Sequence, residues 1–269
     1  MPAPPLHAGK ALLLQIKNLQ KTYEGSTTPA LRDFDLEVGQ GEFVSLIGPS
    51  GCGKTTALRI VTGLLPSSGG EVFVDGKPSM KPSREKAIVF QMFNLFPWRT
   101  ALQNVAYGLE VQRVPKKERL AKAEEYLDLV GLSDRLHHYP SQLSGGQNQR
   151  VGLARALAIE PKLILMDEPF GALDALTREH LQELLHQIVA EKGLTVLFVT
   201  HSIDEAIFLS DRIIVMGVPG RTIGEFTIEM PQPRQDYDWR ATPEYTEVRG
   251  AIWTLLQAQI QRSEELALA

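Results

Sequence analysis

Residues Glu42 to Thr55 constrain the fold more than any other stretch of this chain. Glu42–Ile47 (EFVSLI) is a nearly continuous apolar run, the signature of a buried strand. It runs straight into Gly48-Pro49-Ser50-Gly51-Cys52-Gly53-Lys54-Thr55, a full match to G-x-x-x-x-G-K-[ST]. Thr55–Val61 then reads as a helix closed by Gly63. Glycines let the backbone turn its N–H groups toward phosphate oxygens, and the helix adds its positive end. Lys54 reaches the terminal phosphates, and Thr55 offers a hydroxyl to Mg²⁺. Strand, glycine loop and helix together demand an α/β core.

The rest of the chain supplies that core. Leu12–Ile16, Phe34–Val38, Glu71–Val74 and Ala87–Phe90 read as strands. Leu163–Met166, Thr195–Thr200 and Arg212–Met216 follow, with Thr222–Ile228 pairing beside the last. Helices are expected at Gln147–Ile159, Thr177–Glu191, Ile203–Leu209 and Thr246–Gln261. Strands alternating with helices imply a mainly parallel sheet covered on both faces. Between Met92 and Gln142 only helices are evident, at Ala101–Val111 and Lys116–Val130. The expected layout is a loose tail at 1–11 and a core of 12–91 with 147–228. A helical subdomain fills 92–146, and a C-terminal extension with a helix fills 229–269. Pro231–Pro233 breaks the chain before that helix.

Bulk properties narrow the function. A formal net charge of −4 gives no argument for nucleic acid. The lone cysteine, Cys52, excludes an internal disulfide framework and fits a reducing compartment. No stretch approaches the ~20 apolar residues of a membrane span, and Ala11–Leu14 is too short for a signal-peptide core. A soluble chain is expected, with any membrane role exerted through partners. Cys52 itself reads either as a redox-sensitive thiol at a helix start or as a small residue facing away from phosphate.

Two further segments carry chemistry. Leu163–Met166 leads to Asp167-Glu168, placing two carboxylates at a strand end, where a ligand crevice lies in such folds. Asp167 suits Mg²⁺ and Glu168 suits the polarisation of a water. Leu143-Ser144-Gly145-Gly146-Gln147 opens a helix. Taken alone it is a serine cap with glycines. Beside the phosphate loop it is a second way to hold a triphosphate.

The set resembles the nucleotide-binding subunit of ABC transporters over roughly residues 12–220. The phosphate loop, Gln91, Leu143–Gln147, Leu163–Glu168, Gly171-Ala172-Leu173-Asp174 and His201 occur in that family's order. The resemblance implies a P-loop NTPase (RecA-like) core with an antiparallel β edge. It implies that Tyr23 stacks on adenine and that Gly48, Pro49, Ser50, Gly51, Cys52, Gly53, Lys54, Thr55 and Thr56 hold ATP. Gln91 would contact Mg²⁺ and the water, and His201 the γ-phosphate. Ser144, Gly145, Gly146, Gln147 and Asp174 would act across a head-to-tail homodimer, capping ATP held by the other copy.

Away from that context each is plainer: Tyr23 a packing residue, His201 a helix cap, Gln91 without signal. Phe96-Pro97-Trp98, Asn104–Leu109, Met166–Glu179 and Val199–Arg212 resemble importers for nitrate, sulfonates and taurine. So do the region of Pro233-Arg234 and the closing helix. Asn148 departs from that wording. The implied partners are integral membrane permease subunits and, indirectly, a periplasmic or extracellular solute-binding protein. Nucleic acid is not among them. The implied location is the cytoplasmic face of the inner membrane, held peripherally. Met92–Trp98 (MFNLFPW) reads either as the permease contact or as a buried hinge cluster. A soluble ABC ATPase acting on nucleic acid or ribosomes is the rival reading, and a P-loop kinase a third.

Overall fold

The computed structural model describes residues 11–229 and 239–268. The expected tail at 1–10 and the Pro231–Arg234 stretch lie outside the described residues. The chain divides into two units, residues 1–83 with 189–269 and residues 84–188.

The first unit contains two sets of strands. One is antiparallel: β1 (Leu12–Lys21) pairs with β2 (Leu31–Gly39) and with β4 (Gly69–Val74), and β4 pairs with the short β5 (Lys77–Pro78). Leu14 faces Val38 and Val74, and Ile16 faces Leu36 and Val72, so one side of this sheet is wholly apolar. β1 runs five residues beyond the expected Ile16. The register shifts between Ile16 and Leu19, where Asn18 takes φ 47°. That bulge interrupts the alternation from which a strand is read.

The second set is the parallel core. β3 (Phe43–Ile47) lies between β8 (Thr195–Val199) and β9 (Arg212–Gly217), parallel to both. Every residue of these three strands is buried, as their continuous apolar sequences require. β10 (Arg221–Thr227) closes the edge antiparallel to β9. Arg212 is the one guanidinium inside this layer. It binds Glu42 at 2.7 Å and Glu225 at 2.7 Å, so the buried charge is matched on both sides. α1 (Lys54–Thr62) follows β3, and α6 (Ile203–Leu209) follows β8. α7 (Pro243–Leu268) packs on α6, β9 and β10.

In the second unit β6 (Lys86–Val89) pairs in parallel with β7 (Leu163–Asp167). Three helices pack on one another here: α2 (Ala101–Val111), α3 (Lys116–Leu129) and α4 (Gly145–Leu157). Thr100 and Gln103 close a capping box at the start of α2. Gly108 lets α2 approach Ile159 so closely that any side chain there would collide with it. α5 (Ala175–Lys192) leaves this unit toward β8. The expected α/β architecture, antiparallel β edge and helical insertion are all present. No described helix is long and apolar enough to cross a membrane.

Candidate functional site

The phosphate loop follows β3 directly. Gly51 and Gly53 take φ 79° and 99°, values that glycine alone adopts freely. A side chain at Gly48 would stand 2.6 Å from both Cys52 Sγ and the Met216 carbonyl oxygen. Gly53 opens α1 without a side-chain cap, and no acidic residue lies in the first turn. The first turn thus adds no negative charge of its own to the positive helix end, which suits an anion. Lys54 is buried and donates to the Gly48 oxygen at 2.7 Å and the Pro49 oxygen at 3.1 Å. Its ammonium is thus carried on the loop itself. Cys52 is fully buried, and burial pushes its thiol up despite the neighbouring Lys54. Its burial fits the second of the two readings, a small residue packed inside the loop.

Tyr23 lies beside the same helix. Its hydroxyl is 3.1 Å from Thr56 Oγ1, and Lys21 Nζ sits 5.4 Å from the ring centre. The residue is 43% exposed, open to a flat ligand. His201, exposed, stands between β8 and α6. Ser202 caps α6, and Thr200 donates to the buried Glu205 at 2.5 Å. These bonds set the turn that carries the imidazole.

In the second unit β7 delivers Asp167 at its buried end, and Glu168 follows at φ 46°. A left-handed backbone is costly for a residue with a Cβ, about 1–2 kcal/mol, and such outliers gather at functional sites. A methyl at Gly171 would stand 3.5 Å from Gln91 Nε2 and 3.5 Å from the Glu168 oxygen. Gln91, itself exposed, therefore adjoins the turn that Glu168 starts.

Leu143–Gln147 forms the start of α4. Ser144 Oγ accepts from the Gln147 N–H at 3.2 Å, and Gln147 Oε1 accepts from the Ser144 N–H at 2.9 Å. Ser144 and Gly145 are exposed, while Gly146 is buried against Thr177. Asp174 is exposed and caps α5, accepting from Thr177 N at 3.0 Å and Thr177 Oγ1 at 2.7 Å. Those two bonds hold its carboxyl below the usual carboxylate range. The segment 92–98 is divided between its two readings. Met92 and Trp98 are 75% and 70% exposed, while Phe93, Leu95 and Phe96 are half-buried. Phe96 packs on Tyr107 with ring centres 4.5 Å apart, and Arg99 lies over both rings.

Residues 31–171 match the family model described as ABC transporter. The chain belongs to this family. It is 45% identical to an uncharacterized ABC transporter ATP-binding protein of Methanocaldococcus jannaschii, over 93% of each chain. It is 45% identical to a taurine import ATP-binding protein of Pseudomonas entomophila, covering 82% of this chain and 85% of that one. It is 42% identical to a nitrate import ATP-binding protein of Synechococcus elongatus, covering 93% of this chain and 39% of the relative. Among solved structures it is similar to a dimeric, post-hydrolysis ATP-binding cassette bound to ADP and phosphate. The TM-score is 0.73 at 38% identity, over 81% of this chain and all of that one.

Several residues of this ABC transporter chain position the motifs without having been expected to. Thr177 is the partner of Asp174. Asn148 Nδ2 donates to the Pro140 and Leu143 oxygens at 3.0 and 3.3 Å, tying down the turn that leads into Ser144. Arg155, on the same helix, donates to the Asn94 oxygen at 2.7 Å and the Phe93 oxygen at 3.0 Å. It thereby fastens α4 to the loop after Gln91. A capping aspartate three residues before a threonine is a legible signal; a guanidinium on distant carbonyls is not.

Proposed function

We propose that this chain is the ATP-hydrolysing subunit of a membrane importer for a small solute of the nitrate, sulfonate or taurine type. Two copies hold two ATP molecules between them, and closure of that dimer on ATP powers transport. One observation carries the reading. A chain with a complete phosphate loop also presents a second phosphate-type turn, at Ser144 and Gly145, outward on a capped helix start. An exposed helix start favours a terminal phosphate brought by another molecule. Relatives described as nitrate import, bicarbonate transport and taurine import ATP-binding proteins, at 42–45% identity, support the importer. The dimeric cassette structures support the pairing.

The roles follow from the side chains. Tyr23 stacks on adenine, and residues 48–56 cradle the phosphates, with Lys54 as their counter-charge. Glu168 accepts a proton from the attacking water, Gln91 orients that water and His201 contacts the γ-phosphate. Thr55, Gln91 and Asp167 would hold Mg²⁺. Their hydroxyl, amide and carboxylate oxygens are the hard donors that ion takes, and when bound it neutralises phosphate charge. Ser144–Gln147 and Asp174 act on the partner copy. Met92 and Trp98 face the permease subunits, on the cytoplasmic side of the membrane. A solute-binding protein selects the cargo, which this chain never touches.

Glu168→Gln tests the reading. ATP turnover should fall about 10²- to 10⁴-fold while ATP binding persists and ATP drives a stable dimer in size-exclusion chromatography. Near-normal hydrolysis would remove Glu168 from the mechanism.

A further inference from the structure

The C-terminal helix has no part in the mechanism above, yet it is bonded to α6, the helix that follows His201. Asp204 lies in the first turn of α6, three residues after His201. Its Oδ1 accepts from the Tyr245 hydroxyl and, at 3.1 Å, from Arg249 Nε. Both donors lie on α7. Tyr245 is buried, and its own N–H is capped by Thr242 Oγ1 at 3.2 Å.

α7 is fixed at its other end as well. Ile252 is fully buried, and Leu255 Cδ1 lies 2.6 Å from where a side chain at Gly224 would begin. Gln259 Oε1 accepts from the Val218 N–H at 3.4 Å. Tyr245, Ile252 and Gln259 recur every seven residues, so one stripe of α7 meets α6 at one end and the β9–β10 edge at the other. α6 is only seven residues long, too short to hold its place by its own hydrogen bonds.

We propose that α7 is a brace that sets the position of His201, with Tyr245 and Arg249 acting as positioning residues through Asp204. The proposal rests on the reading of His201 as the γ-phosphate contact. Inside, Thr200, Ser202 and Glu205 shape the turn. Outside, α7 fixes where the turn stands. A misplacement of about 1 Å from a distant change is enough to cost up to about 100-fold in rate.

The test is steady-state ATP hydrolysis by the full chain, with turnover scaled to measured ATP-binding stoichiometry. Tyr245→Phe removes only the hydroxyl. It should lower kcat about three- to tenfold and leave KM for ATP within about twofold. Asp204→Ala should match that loss. Asp204→Asn, which keeps an acceptor oxygen, should restore at least about half of the wild-type kcat. Trp253→Ala, on the exposed side of α7, should change neither constant. In a His201→Ala background, Tyr245→Phe should add nothing, because the brace acts through that imidazole. Unchanged kcat in Tyr245→Phe, or a full further loss in the His201→Ala background, overturns the brace. Normal turnover by His201→Ala alone would instead overturn the underlying role of His201.

Discussion

Gly146→Ala isolates the packing beneath the turn that carries Ser144 and Gly145. The added methyl would lie closer than 3.0 Å to Thr177 Cγ2, a separation that real Cβ atoms do not reach. Thr177 cannot turn aside freely. Its hydroxyl is bonded to Asp174 Oδ2 at 2.7 Å, and turning χ1 forfeits that bond, about 1 kcal/mol. Moving the two helix starts apart instead is overpacking, about 1–3 kcal/mol. Against this, Ala for Gly within a helix recovers about 0.5–1 kcal/mol. The net is a loss of up to about 2.5 kcal/mol. Thr177→Ser deletes the offending methyl and keeps the hydroxyl on Asp174, at a cost of under about 1 kcal/mol. The double variant should then be about 0.5–1 kcal/mol more stable than Thr177→Ser alone, a coupling of about 1–3 kcal/mol. Urea unfolding followed by circular dichroism, without nucleotide, measures this as a midpoint shift at constant slope. If the two losses simply add, the methyl contact is not what makes Gly146 necessary.

Ser144→Arg should abolish the ATP-induced dimer while monomer ATP affinity stays within about twofold, because Ser144 is exposed and remote in sequence from the phosphate loop. Loss of its cap should also cost about 1 kcal/mol, visible in the same urea titration. Cys52 should react with iodoacetamide far more slowly than a free thiol until the chain is unfolded, since it is buried and its thiol is held protonated. Fast labelling of the native chain would contradict that burial. Tyr126 and Tyr245 should titrate late in the ultraviolet. Burial and Glu160 push Tyr126 up to about 12, and burial and Asp204 do the same to Tyr245. The folded chain then keeps protons that the unfolded chain releases above about pH 10, so this stability is full below pH 10 and drains away toward pH 12. Tyr245→Phe should remove one late step; absence of any late step would refute both assignments.

The nucleotide motifs were legible because each has a local grammar. The phosphate loop shows fixed spacing after an apolar run, and α2 and α6 span the residues their patterns mark. Thr177 was legible only as a helix start, because the helix begins at Ala175 on an aspartate cap. Asp174 thus serves its own chain whatever it does for a partner. β1 was read short because the bulge at Asn18 breaks the period of two. What stayed hidden is non-local. Tyr245 finds Asp204 across 41 positions, and Arg155 finds backbone carbonyls 61 and 62 positions away. Carbonyls have no side-chain identity, so no residue pattern records such a pairing.

Arg155 also gives α4 a mechanical gain. It grips the loop after Gln91 at one end of the helix, and Ser144 lies at the other. At 1.5 Å per residue the arm between them is about 16 Å. A tilt of about 5° at the gripped end sweeps Ser144 through about 1.4 Å, more than the roughly 0.5 Å over which a hydrogen bond keeps its length. A small displacement of the Phe93 and Asn94 carbonyls would therefore be magnified at Ser144.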